Sequence, residues 1–126
     1  MLSDHPAVPT IAVSDLARAR EFYEKVLGLE PEGEPPEGVM YRVASGRLFV
    51  YPSAYAGTNK ATAVSFQIPD SSLDAEVDAL RANGVSYQTF DAEGITWDGD
   101  VATFGGMRAV WFADPDGNII NLESSS

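Results

Sequence analysis

Hydrophobic and polar positions along this chain follow two periods, one of strands and one of helices. Val8 to Val13 is apolar and β-branched, which predicts a short strand, and Ser14-Asp15 supplies a side-chain oxygen to cap a following helix. Leu16, Ala19, Phe22, Tyr23, Val26 and Leu27 then recur at steps of three and four residues, with Arg18, Arg20, Glu21, Glu24 and Lys25 on the other face. Gly28 stands where a helix ends in the left-handed conformation, so the pattern predicts an amphipathic helix of about three turns. The Pro-, Gly- and Glu-rich stretch Pro31–Gly38 reads as a loop, with room for a short strand before it. Met40–Val43 and Arg47–Tyr51 are predicted strands around Ser45-Gly46, which supplies the positive φ of a hairpin turn.

The second half repeats this plan. Ala63–Ile68 is a predicted strand, Asp70-Ser71-Ser72 a capping cluster, Leu73, Val77 and Leu80 a helical stripe, and Gly84 its stop. Val85–Phe90 reads as a strand, and Arg108–Ala113 and Asn118–Glu123 as a hairpin around Asp114-Pro115-Asp116-Gly117. The two helical segments agree in length to within one residue, whereas the second copy carries about 15 extra residues near Asp91–Gly106. Each copy therefore reads β-α-β-β-β. One such unit has too little core to stand alone, so two must pack together, within the chain or between chains.

Period-two alternation assigns faces. Pro9, Ile11 and Val13 turn toward the first helix and leave Val8, Thr10 and Ala12 opposite; Val64, Phe66 and Ile68 turn toward the second and leave Ala63, Ser65 and Gln67. The faces away from the helices are small and partly polar, suited either to a hollow or to close strand packing. Trp111 and Phe112 are adjacent on one strand, so one of them is ordinary core and the other faces away. Trp97 lies among Asp98, Gly99 and Asp100, an acidic loop in which a large ring is out of place unless it covers something.

Composition narrows the chemistry. With 44% hydrophobic residues, two Trp, five Tyr and six Phe, the 126-residue chain can fill a core. Nineteen acidic against eight basic side chains give a net charge of −11, which repels nucleic acid and anionic membrane and attracts cationic compounds. The absence of Cys removes disulfides, thiolate nucleophiles and Cys-based metal sites. Without a signal-like start or a long apolar run, the expected location is the cytoplasm. Asp114 and Asp116 belong to a turn-forming sequence, and Asp74, Glu76 and Asp78 lie off the apolar stripe of their helix, so neither set reads as catalytic. No phosphate-binding Gly motif or Ser-His-Asp arrangement is present, and no catalytic residue is assigned.

Ile11-Ala12-Val13-Ser14-Asp15-Leu16 with Phe22-Tyr23 and Leu27-Gly28-Leu29, followed by Phe112-Ala113-Asp114-Pro115-Asp116-Gly117-Asn118 with Ile120 and Leu122, resembles the vicinal oxygen chelate superfamily of glyoxalase I, extradiol dioxygenases, fosfomycin-resistance transferases and bleomycin-resistance proteins. The resemblance implies an α+β fold in which two βαβββ modules, about residues 7–55 and 62–124 of a single domain spanning 7–124, form a curled mixed sheet around a cup completed within a homodimer. It also favours the hollow over close strand packing.

Metal-using members hold a divalent ion in the cup. By position the ligands fall on Val8, Ala63, Val50 and Asn121, of which only Asn121 has a ligand-capable oxygen, so neither metal nor cofactor is expected. His5, three residues before the strand, would need a register slip that reverses the strand's faces. The resemblance thus implies a metal-independent protein similar to the bleomycin-resistance branch, sequestering a cationic or aromatic small molecule. Its ligand-binding residues would be Thr10, Val50, Ser65, Gln67, Trp97, Trp111 and Asn121. Two alternatives stand beside it. One is a lyase, isomerase or dioxygenase using Glu123, Asn121 or Glu30 as ligands; the other is a module whose cup is filled by its own side chains.

Overall fold

The computed structural model describes residues 1–125, which form two compact units. The first comprises Met1–Lys60 with Pro115–Asn118, and the second Ala61–Asp114 with the chain from Ile119 onward.

In the first unit, strand β1 (Thr10–Val13) leads into helix α1 (Leu16–Arg20), which continues as wider π-helical turns over Glu21–Val26 rather than as the uniform α-helix the stripe predicts. Asp15 caps it, accepting from the Arg18 amide at 3.1 Å, and Gly28 follows the last turn at φ +76°. Strands β2 (Glu30–Gly33), β3 (Val39–Val43) and β4 (Gly46–Pro52) complete a four-stranded sheet in the order β1-β4-β3-β2, with β1 and β4 parallel. The predicted Pro31–Gly38 loop therefore gives up its first residues to an edge strand paired with β3. The β3–β4 turn takes its positive φ at Ala44 (+51°), not at Gly46, because Val43 and Gly46 already pair and only Ala44 and Ser45 span the turn. The core is the helix side of this sheet: Ile11, Val13, Val39, Tyr41, Leu48 and Val50 with Ala19 and Tyr23, all buried.

The second unit opens with β5 (Thr62–Pro69) and helix α2 (Asp70–Ala82), whose Leu73, Val77 and Leu80 are buried as the stripe predicts. The helix ends in a paired terminus at Gly84 (φ +97°), with the Gly84 amide donating to the Arg81 carbonyl and the Val85 amide to that of Leu80. Asp70 does not cap. Pro69 holds the N-cap position, and Asp70 instead accepts at 2.9 Å from both the Arg108 guanidinium and the buried Ser124 hydroxyl, because a distant cation outcompetes the local backbone. The expected Val85–Phe90 strand shrinks to β6 (Tyr87–Gln88). The 91–106 stretch is not a loop but a hairpin, β7 (Thr96–Asp98) and β8 (Val101–Phe104), turned at Gly99-Asp100. Gly105-Gly106, both at positive φ, then turn β8 into β9 (Met107–Ala113), and β10 (Ile119–Ser125) completes the sheet. Its order β5-β10-β9-β8-β7 repeats that of the first sheet with one extra edge strand, and β6 pairs with the upper part of β9. Among the described residues no helix is long and apolar enough to cross a membrane.

Candidate functional site

Trp111 and Phe112 are sent to opposite faces of β9 by the pleat. Phe112, 1% exposed, joins Val110, Ile120 and Leu122 in the core beneath α2, while Trp111 emerges half-buried on the face away from the helix. Its neighbours across the ladders are Asn121 on β10 and Gln88 on β6. Trp97 reaches the same face by register, since it pairs with Ala102 and Ala102 pairs with Ala109, two residues before Trp111. Both alanines are fully buried, and their small side chains leave the rings room to approach. The tryptophan centroids lie 6.2 Å apart. Phe104, two residues after Ala102, lies 6.5 Å from Trp111. Phe90 closes the group at 4.9 Å from Trp111 and 5.3 Å from Trp97, nearly perpendicular to each at 76° and 85°.

A polar corner adjoins this aromatic wall. Gln67 Nε2 donates to Ser65 Oγ at 3.3 Å, and Ser65 Oγ donates in turn to Asn121 Oδ1. Asn121, 3% exposed, donates its own amide to the Val110 carbonyl at 3.2 Å. The relay ties Gln67 and Ser65 to the buried Asn121 and presents both to solvent. Beyond Trp97 an open pocket of about 320 Å³ is lined by Thr89, Phe90, Asp91, Trp97 and Gly99.

Five of the seven sequence-predicted site residues, Ser65, Gln67, Trp97, Trp111 and Asn121, thus share one sheet face. Trp97 stands there on a strand rather than in a flexible loop. Thr10 lies in the first unit, exposed on the face away from α1, beside Phe49; the Phe49 and Tyr51 rings of that face are parallel to within 5° at 5.9 Å. Val50 is different. It pairs with Ile11 and is fully buried on the helix side, because four residues beyond Gly46 falls on the inward row with Leu48. Phe104 is signalled by the Gly105-Gly106 dipeptide, which marks a hairpin turn and fixes the alternation of the strand before it, whereas Phe90, outside any strand, carries no such local signal.

The Asp-Pro-Asp-Gly turn is structural, though by longer reach than its own backbone. Asp116 Oδ1 accepts from Ser14 Oγ at 2.6 Å and from the Arg18 guanidinium at 3.2 Å, and Asn118 Nδ2 donates to the Ala12 carbonyl at 2.9 Å.

The positions that the resemblance assigns to metal ligands do not fit a divalent ion. Val8, Ala63 and Val50 offer no donor atom, and the Asn121 oxygen accepts the Ser65 hydroxyl. Among the described residues no three His, Asp or Glu side chains gather as a candidate site.

The sequence matches the Glyoxalase/Bleomycin resistance protein/Dioxygenase superfamily model over residues 3–122. Solved structures of the same fold include the fosfomycin resistance protein FosX from Listeria monocytogenes complexed with Mn(II) and sulfate, at 17% identity and a TM-score of 0.74, covering 100% of this chain and 93% of that one. FosX from Mesorhizobium loti is 16% identical with a TM-score of 0.69 over 100% of this chain and 95% of that one. An integron cassette protein from the mobile metagenome of Vibrio cholerae is 21% identical with a TM-score of 0.67 over 97% and 95%. Comparison with curated proteins finds no match.

Proposed function

The chain belongs to the glyoxalase/bleomycin resistance protein/dioxygenase superfamily, and from that premise we propose that it is a metal-independent binding protein that sequesters an aromatic or cationic small molecule. The observation that carries this reading is the wall of Phe90, Trp97, Phe104 and Trp111 beside the Gln67–Ser65–Asn121 relay. Three rings on a sheet face away from the helix, with Phe90 packed against two of them, offer stacking area to a flat ligand, and the adjoining polar corner orients it. The relay stands where metal-using relatives carry a ligand, and it leaves Asn121 holding strand backbone instead. In this reading residues 7–124 act as one domain and the protein works as a cytoplasmic homodimer.

Tryptophan fluorescence tests it. Titration with a bleomycin-type glycopeptide at low salt should give a saturable change at one ligand per protomer, weakened in Trp97→Phe and abolished in Trp111→Ala. A flat titration together with no response to simpler aromatic compounds would sink the proposal.

A further inference from the structure

The pocket beyond Trp97 has a chemistry of its own. Phe90 and Trp97 meet at 85° with centroids 5.3 Å apart, so their rings form a corner rather than a slot. Asp91 lines the same pocket with Thr89 and Gly99. Phe90 remains 43% exposed, an unusual loss of water-shielding for a ring unless something covers it. From Ala82 to Met107 the chain has no Lys, Arg or His but carries Asp91, Glu93, Asp98 and Asp100. Of the two cations that flank this stretch, Arg81 is held by Asp78 and Asp100 at 3.1 Å each and stacks over the Tyr87 ring at 5.4 Å, and Arg108 is held by Asp70 and Asp74 at 2.9 and 2.8 Å. Among the described residues no basic side chain lines the pocket.

We infer that the Phe90–Trp97–Asp91 pocket is a site for an organic ammonium group. Two ring faces set at a right angle suit a methylated ammonium, whose diffuse charge is attracted by aromatic quadrupoles and whose methyl groups pack on the rings. A carboxylate at the rim supplies the countercharge. A pocket of about 320 Å³ accommodates such a headgroup. This inference rests on the reading of that face as a ligand wall and deepens it, because it names the group by which a ligand is anchored at one end.

The test compares choline with its neutral isostere 3,3-dimethylbutan-1-ol on the whole protein, following the indole N–H signals by NMR. Choline should shift the Trp97 signal saturably and bind about tenfold more tightly than the isostere. Asp91→Asn, at an exposed position, should remove most of that preference without altering the isostere's affinity. Equal affinity for the two compounds, or a choline affinity unchanged by Asp91→Asn, would overturn the inference. Caffeine, flat and neutral, separates the two readings. Caffeine binding at Trp111 without a choline preference leaves the wall standing and the ammonium site refuted, whereas no response to either probe refutes both.

Discussion

Trp97 and Trp111 stand 6.2 Å apart although β8 separates their strands, because the register of β7 on β8 and of β8 on β9 carries both to one face over Ala102 and Ala109. The hairpin of the extra segment thereby supplies half of the aromatic wall. Trp97→Ala removes contacts with both Phe90 and Trp111 and should destabilise the fold by about 1–2 kcal/mol. Trp97→Phe should recover more than half of that loss in a urea midpoint. The emission of the remaining Trp111 should shift to the red in the alanine variant only, and an unshifted spectrum would show that Trp97 does not shield it.

Asp116 ties the turn before β10 to the start of α1. Its carboxylate is nearly buried, so Asp116→Ala leaves Ser14 and Arg18 without their shared acceptor and should cost about 1–3 kcal/mol. Arg18, half exposed, should cost under about 1 kcal/mol on truncation. A double-mutant cycle between Ser14→Ala and Asp116→Ala reads the coupling directly, and additive losses would dismiss the clamp.

These two relationships also show what the sequence made legible. The helical stripes, the stops at Gly28 and Gly84, the alternation on β1 and β5 and the duplicated module are local patterns, and local sterics and burial decide them. The remainder depends on partners far along the chain. Asp70 resembles a cap until Arg108 and Ser124 claim its carboxylate, and Asp116 resembles a self-contained turn residue until Ser14 does the same. The resemblance puts Val50 among the ligand positions, whereas its own alternation with Leu48 against Phe49 and Tyr51 identifies the inward row. Trp97 and Trp111 stand out singly, but their meeting with Phe90 and Phe104 depends on strand register across a hairpin within acidic sequence.

Gly38 is required for space rather than for φ. A Cβ there would lie 2.3 Å from the Val50 carbonyl oxygen and 3.0 Å from Tyr51 Cα, so backbone of β4 would have to move. Gly38→Ala should therefore destabilise by about 1–3 kcal/mol in chemical denaturation. Gly46→Ala, whose nearest contact is an ordinary 3.7 Å, is the control and should be near neutral.

Stability should fall at both ends of the pH range. The Arg20 guanidinium, seconded by the Tyr41 hydroxyl at 2.9 Å, holds the Glu24 carboxyl below its ordinary value of 4.5. A depressed carboxylate stabilises the fold above its unfolded pKa, and that contribution is lost as acid protonates it, so the urea midpoint should drop below pH about 4.5. Glu24→Gln should flatten the drop. Burial pushes the Tyr87 phenol up to about 12 and, aided by the bond to Glu24, raises Tyr41 further. Raised phenols favour the fold up to their unfolded pKa, and that contribution is lost as pH rises beyond about 10. Phenolate absorbance should accordingly show a late phase coincident with unfolding. A single phase near the ordinary value would contradict the burial of both rings.

Asn121 separates the binding reading from a metal-dependent one. Its oxygen accepts from Ser65 and its amide donates to the Val110 carbonyl inside the sheet, so Asn121→Ala should take a buried donor from Val110, leave the exposed Ser65 hydroxyl to water, and cost about 1 kcal/mol. Asn121→Asp should cost at least as much, because a carboxylate cannot donate to Val110 and would be buried without a cation. Neither change should alter the response to Mn(II), because Val8, Ala63 and Val50 supply no companion ligand. Calorimetric titration of the parent protein with Mn(II) should show no stoichiometric binding. A one-to-one isotherm that disappears in Asn121→Ala would instead place a metal at the relay and return the chain to the enzymatic branch of its superfamily.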